Sequence, residues 1–219
     1  MSRDNRNINL VDTRNMIYNN LRRQIICGEI PQGEKLNEAG MAVQYGINKK
    51  HISEVLSKLQ LEGLITYVPM KGYYVEGIDR DDLLEIAKIR EMLETAIFEN
   101  FLTKASDEDI NETIRLTKRK IAFLRSGLKE EAHKETLASF DYIYAHCSYR
   151  RMPELLRQYR DYIDIMIKLA FEQEDDVEKT IHNSELLCEM LEERSIEKCR
   201  KWIQIRYNNL LEKIKMAEN

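Results

Sequence analysis

The chain has 219 residues, with 34 Lys and Arg against 38 Asp and Glu, and a formal net charge of −4. That length accommodates one large or two modest domains. No apolar run approaches the roughly 18 residues a membrane span needs, and no signal peptide opens the chain. The expectation is a soluble, cytoplasmic protein without membrane partners. Four cysteines (Cys27, Cys147, Cys188, Cys199) lack CxxC spacing. Cys188 and Cys199 fall at apolar helical positions, where buried free thiols are expected.

Turn residues divide the chain unevenly. Seven of the eight glycines, together with Pro31 and Pro69, lie before Ile78, and only Gly127 and Pro153 follow. A turn-rich head before a turn-poor body reads as a small mixed domain over 1–78 followed by an all-helical one over 79–219. Charge divides too: residues 1–78 carry ten Lys/Arg against eight Asp/Glu, and the rest 24 against 30. A slightly basic head on an acidic body suits one-sided contact with DNA.

Residues 1–10 are polar and rich in Asn and Arg, so an N-terminal arm is expected. A first helix from about Asp12 to Cys27 carries Ile17, Leu21 and Ile25 on one face and ends at Gly28. Asn37 is placed to cap a short second helix, and Gly46 to turn the chain out of it. Asn48 caps a third, on which Ile52, Val55, Leu56 and Leu59 share one face. Lys50, Ser53 and Ser57 centre on the opposite face, beside Lys49 and Gln60. A helix that buries aliphatics and shows Lys, Ser and Gln can enter a DNA major groove. After Gly63, residues 64–68 read as a strand, Pro69 to Gly72 as a turn and residues 73–75 as a return strand, with Lys71 at the tip. That pair is the wing of a winged helix-turn-helix. Asn48 (as cap or contact), Lys49, Lys50, His51, Ser53, Lys71 and Gly72 are the candidate contacts to a double-stranded DNA operator.

These residues resemble the GntR family of bacterial transcription regulators. The matching motifs run from Gly28, Pro31 and Gly33 to Leu36, Asn37 and Glu38, then Tyr45 and Gly46, then Leu61, Glu62 and Gly63, and close with Pro69, Gly72 and Val75. The departures fall where DNA is read. The family's recognition helix usually opens Ser-Arg-Thr-Pro-Val-Arg-Glu-Ala, whereas this chain has Lys49 and Ser53 at the two arginine positions. Lysine cannot reproduce the guanidinium fork, so the operator should differ from the commonest family sites.

From Asp79 the chain reads as about six helices, over 81–103, 107–126, 129–149, 152–172, 175–193 and 195–216, with Ser106 and Ser195 as caps. Short loops argue for an antiparallel bundle. Arg90 and Glu94 sit in the middle of the apolar stripe of Leu83, Ala87, Leu93, Ile97 and Phe101. Asp141 falls beside Leu137, Phe140 and Tyr144, Ser184 beside Ile181 and Cys188, and Arg206 beside Cys199 and Ile203. Buried charges are costly unless paired or set in a polar cavity. Two readings stay open. One is an internal network, Arg90–Glu94 and Arg206–Asp141, with no ligand. The other is a cavity lined by Arg90, Asp141, Ser184 and Arg206 that holds a small carboxylate or phosphate effector.

Arg90 to Glu94 resembles the opening of the helical effector (FCD-type) domain of the family's FadR-like branch. In many such domains an Asp and three His hold a metal. Here the Phe-His pair matches Phe140 and Asp141, and the other His positions align with Ser184 and Arg206. His51, His133, His146 and His182 do not converge in the sequence pattern, so neither metal nor cofactor is expected. The resemblance implies a dimeric, effector-responsive regulator, a repressor in the commoner mode, on a palindromic operator. The alternative is a constitutive DNA binder whose bundle only dimerises. With no HxxxH or nucleophile motif, an enzyme is not expected.

Overall fold

Aliphatic side chains at helical spacing close a separate core in the N-terminal segment. The computed structural model describes residues 4–169 and 174–216, in two compact units, 1–79 and 80–219. In the first, α1 (Asp4–Ile26) packs on α3 (Lys49–Leu61), with α2 (Glu38–Tyr45) also against α3. Ile17, Leu21 and Ile25 of α1 meet Ile52, Val55, Leu56 and Leu59 of α3, all at most 3% exposed. Asn37 caps α2 by accepting from the Gly40 amide at 3.0 Å. The α2 exit needs left-handed backbone, supplied by Gly46 at φ 64°. Helix α1 begins at Asp4, not near Asp12, so residues from Asp4 onward are helix where an arm was expected. No Gly or Pro interrupts the run to Ile26.

The wing strands β2 (Ile65–Val68) and β3 (Gly72–Val75) pair antiparallel, with Ile65 opposite Val75. A third strand, β1 (Lys35–Leu36), joins the other edge of β3 and gives the order β1-β3-β2. Two residues are too few to show an alternating pattern. The buried Leu36 opposite Tyr73 is what holds the strand there.

The second unit is all helix: α4 (Arg80–Lys104), α5 (Asp107–Arg125), α6 (Lys129–His146), α7 (Arg151–Gln158), α8 (Arg160–Leu169), α9 (Glu174–Glu193) and α10 (Ile196–Met216). The span expected as one helix over 152–172 breaks at Tyr159 into α7 and α8, and residues 170–172 lie outside the described residues. The two pieces serve different neighbours, α7 packing on α4 and α8 on α10, which one straight rod would not do.

Ser106 opens α5 with a reciprocal capping box to Asp109. Ser195 caps α10 by accepting from the Lys198 amide at 3.3 Å. Helix α5 packs on α6 and α9, and α10 packs on α4 and α9, so these five helices surround a common interior.

Candidate nucleic-acid interface and anion cavity

At the start of α3 the Asn48 side chain accepts from the Lys50 amide at 2.9 Å, so Asn48 acts as the cap. Lys49 and Lys50 are exposed there, at a helix N-terminus whose dipole favours anions. Lys49 Nζ lies 3.0 Å from Glu38 of α2. His51 is half-buried, its Nδ1 3.4 Å from a Glu54 carboxylate that Arg14 also engages. Hydrogen bonds from Arg14 and His51 hold the Glu54 carboxyl below the usual range. Ser53 Oγ donates to the Lys49 carbonyl at 3.2 Å, which leaves its lone pairs to accept from a base amine.

At the wing tip Lys71 is exposed, and its amide closes a turn on the Val68 carbonyl at 3.0 Å. Gly72 holds φ 103°, a conformation that favours glycine. Met70 before them also holds a left-handed φ, 64°, and is fully exposed.

In the helical unit Glu94 is 0% exposed and gathers four partners from three helices. Its Oε1 accepts from Arg90 Nη2 at 2.6 Å and Tyr144 Oη at 2.7 Å. Its Oε2 accepts from Tyr207 Oη at 2.8 Å and from Arg206. Burial alone would raise this carboxyl's pKa, but Arg206 and Arg90 outweigh it and bring it down to about 2. Burial and Glu94 together keep both phenols protonated, so they remain donors.

Arg90, Arg206 and Ser184 line one cavity among α4, α5, α6, α9 and α10, with a volume of about 100 Å³. That is room for roughly seven to ten water-sized groups. The Arg206 guanidinium lies over the rings of Phe140, at 4.5 Å, and Trp202, at 5.5 Å, which fixes its plane. Asp141 does not line the cavity. It is exposed and pairs with Arg160 of α8, because it stands one position past Phe140, enough to turn it out of the bundle. The internal network therefore takes a form the sequence did not suggest, with Glu94 in place of Asp141 as the partner of Arg206.

Sequence reasoning missed Lys120 and Ser139, which also line the cavity. Lys120 is half-buried, and burial together with Arg206 pushes its pKa down to about 7. Ser139 is 4% exposed, and its hydroxyl has no hydrogen-bond partner among the described residues. The signal was present on α5: Thr113 and Thr117 occupy the buried face with Ile121 and Leu124, and Lys120 follows Thr117 by nearly one turn. In a run of basic residues that position looks like solvated surface.

The lining does not fit a divalent metal. Guanidinium and ammonium groups face the space, and the Ser184 hydroxyl donates to the Thr180 carbonyl at 2.6 Å. Among the described residues no three His, Cys, Asp or Glu are grouped to hold an ion. His133 pairs with Asp164, and His146 stacks on Tyr142 at 3.9 Å. His182 is exposed.

Comparison with known proteins agrees with both units. Residues 13–75 match the family described as "Bacterial regulatory proteins, gntR family", and residues 85–208 match the FCD domain. The chain is 22% identical over 199 residues to the HTH-type transcriptional regulator YdhC of Bacillus subtilis, covering 90% of this chain and 89% of that protein. It is 31% identical over 91 residues to the HTH-type transcriptional repressor GlaR of Escherichia coli, a match covering 42% of this chain and 41% of GlaR. Among solved structures, E. coli McbR/YncC superposes with a TM-score of 0.69 at 20% identity, covering 94% of this chain and 99% of that one. Lar of Listeria monocytogenes gives 0.64 at 18% identity, covering 94% and 97%. The chain belongs to the GntR family of bacterial transcription regulators, with an N-terminal winged helix-turn-helix and a C-terminal FCD-type domain.

Proposed function

We propose that this chain is a cytoplasmic, ligand-responsive repressor that grips a palindromic or near-palindromic operator as a homodimer and is released by a small anionic metabolite held in the helical unit. The observation that carries the effector half is the cavity itself. Arg90, Arg206, Lys120, Lys179 and Lys213 line it, and among the described residues no carboxylate does. The DNA half rests on the exposed Lys49 and Lys50 at the capped start of α3 and on Lys71 at the wing tip. One recognition helix touches too few base pairs for a unique site, and a two-fold pair of heads doubles the read-out.

A second reading has its own observation. Glu94 satisfies Arg90 and Arg206 internally, so the network could exist for packing alone, in a regulator that binds DNA constitutively and uses the bundle only to dimerise. The unpartnered Ser139 hydroxyl and the unmatched Lys120 ammonium weigh against it, since a purely structural core has no use for either.

The test is selection of binding sites from random duplexes by the purified chain, followed by anisotropy titrations of the winning site against a panel of anionic metabolites. Two inverted half-sites and at least one anion that weakens binding are the expected result. A single unpaired half-site would overturn the dimer, and indifference to every anion while neutral ligands release the DNA would overturn the anionic effector.

A further inference from the structure

Donors and acceptors in the cavity are not mixed at random. Three lining hydroxyls spend their hydrogens on their own helices: Thr117 on Thr113, Thr136 on Ala132 and Ser184 on Thr180. What they offer a ligand is lone pairs. Opposite in character are Arg206, Lys120 and Ser139. Arg206 gives one nitrogen to Glu94 and no other hydrogen bond to the described residues. Lys120 has no carboxylate partner among the described residues, and Ser139 Oγ is buried without any partner.

The charges count the same way. The single carboxylate of Glu94 stands against two guanidinium groups and the ammonium of Lys120, and Lys179 and Lys213 line the space as well, so at least two positive charges are left over when Lys120 is protonated. A divalent cation would add to that excess, and a ligand with two negative charges offsets more of it than a monoanion does.

Resting on the effector reading above, we infer that the cavity binds a hydroxylated dianion directly, with no metal between, through Arg206, Lys120 and Ser139 on three different helices. The dianionic head takes the donors, and the ligand's own hydroxyls donate to Thr117, Thr136 and Ser184. A polyol phosphate monoester and a hydroxy-dicarboxylate share this chemistry. The cavity of about 100 Å³ is of a size for either. On the alignment the resemblance implies, direct binding also accounts for Ser184 and Arg206 at two of the family's histidine positions, while Asp141, at the third, lies outside the cavity. The cation that would have gripped the anion is already supplied by side chains.

The experiment is calorimetric titration of the full chain in EDTA with inorganic phosphate, glycerol 3-phosphate and tartrate, repeated with zinc in place of EDTA. Phosphate should bind in EDTA with a Kd on the order of 1 mM, and one hydroxylated probe should bind at least about tenfold tighter, identifying the head group. Ser139→Ala removes a hydroxyl that bonds no other described residue. It should weaken the tighter probe about five- to tenfold and leave the melting temperature in place. Lys120→Met should weaken every dianion and leave acetate, a monoanion, less affected. Binding that appears only with zinc overturns direct recognition while sparing the effector reading, because an anion would still be the signal. No binding of any probe with or without zinc overturns the inference, and anions from the wider panel that still release DNA would keep the effector reading standing without it. Equal affinity in Ser139→Ala and the wild type overturns the role of that hydroxyl, and with it the donor arrangement.

Discussion

The two units handle charge in opposite ways. In the winged head most charged groups sit at the surface, pairing loosely as Lys49 does with Glu38 at 3.0 Å. Arg22 alone among those described is buried, against Glu62 at 2.7 Å, and the interior is otherwise largely aliphatic. In the helical unit a carboxylate, two arginines and two tyrosines converge where an ordinary bundle would place leucines. A head whose polar groups mostly face water presents a fixed surface for a partner it meets from outside. A body that buries its polar groups is committed to what those groups hold inside.

The sharpest way to break that contrast is at Glu94. Replacing it by Gln keeps the shape but leaves two buried guanidinium groups against a neutral amide. Glu94→Gln should cost about 3–5 kcal/mol of stability, read as a lower urea midpoint at unchanged slope, whereas a loss under about 1 kcal/mol would mean the network is not integral to the fold. The pH dependence has a defined sign. The folded carboxyl titrates near 2, below the ordinary 4.5 of the unfolded chain, so its contribution is complete above pH 4.5 and disappears as the pH falls through 2. Glu94→Gln should remove that part of the acid sensitivity.

The head should tolerate far more. Removing Lys49 and Lys50 together breaks only a surface ion pair, so stability should move by less than about 0.5 kcal/mol. Operator affinity should fall by about 2–3 kcal/mol, roughly 30- to 150-fold. Unchanged anisotropy curves would move the reading surface elsewhere on the head.

How legible each region is in the sequence follows from the same difference. On α3 the four apolar residues repeat at one helical spacing and all four are buried, so periodicity alone separates the core face from the reading face. Strand β1 escapes because two residues carry no period. In the body, periodicity found Arg90, Glu94, Ser184 and Arg206 on inward faces but could not say what they meet. Partnership is set by how helices pack, and a side chain at the edge of a stripe, such as Asp141, turns out or in by one position. Lys120 is the converse case, a basic residue in a basic run that packing draws into the cavity.

Lys120 gives the next prediction. Its folded pKa near 7 lies below the ordinary 10.5, so between those values the unfolded chain holds a proton the folded chain does not, and stability rises with pH across that window. At neutral pH the half-buried ammonium is therefore a cost that a bound anion would offset. Lys120→Met should raise the melting temperature of the ligand-free protein by about 2–4 °C, as expected for about 1 kcal/mol, and flatten the rise between pH 7 and 10. A lower melting temperature would show that the ammonium stabilises the fold and is not held for a ligand.

The smallest effect returns to the head, at the wing tip. Pro69 and Met70 occupy the centre of the turn closed by the Lys71 amide on Val68, and Met70 takes the left-handed position where glycine or asparagine is favoured. A residue with a Cβ there costs on the order of 1 kcal/mol, and the side chain recovers none of it, being fully exposed. Met70→Gly should stabilise the head by about 0.5 kcal/mol once the added freedom of the unfolded chain is subtracted. Its effect on operator affinity separates two roles for the wing. If the tip contributes only the charge of Lys71, affinity and its salt dependence stay as they are, while Lys71→Ala reduces the salt slope by about one unit. If the methionine reaches between base pairs as an apolar wedge, Met70→Gly weakens binding with no change in salt slope. The slope in the two variants therefore distinguishes a wing that holds the backbone by charge from one that touches the bases.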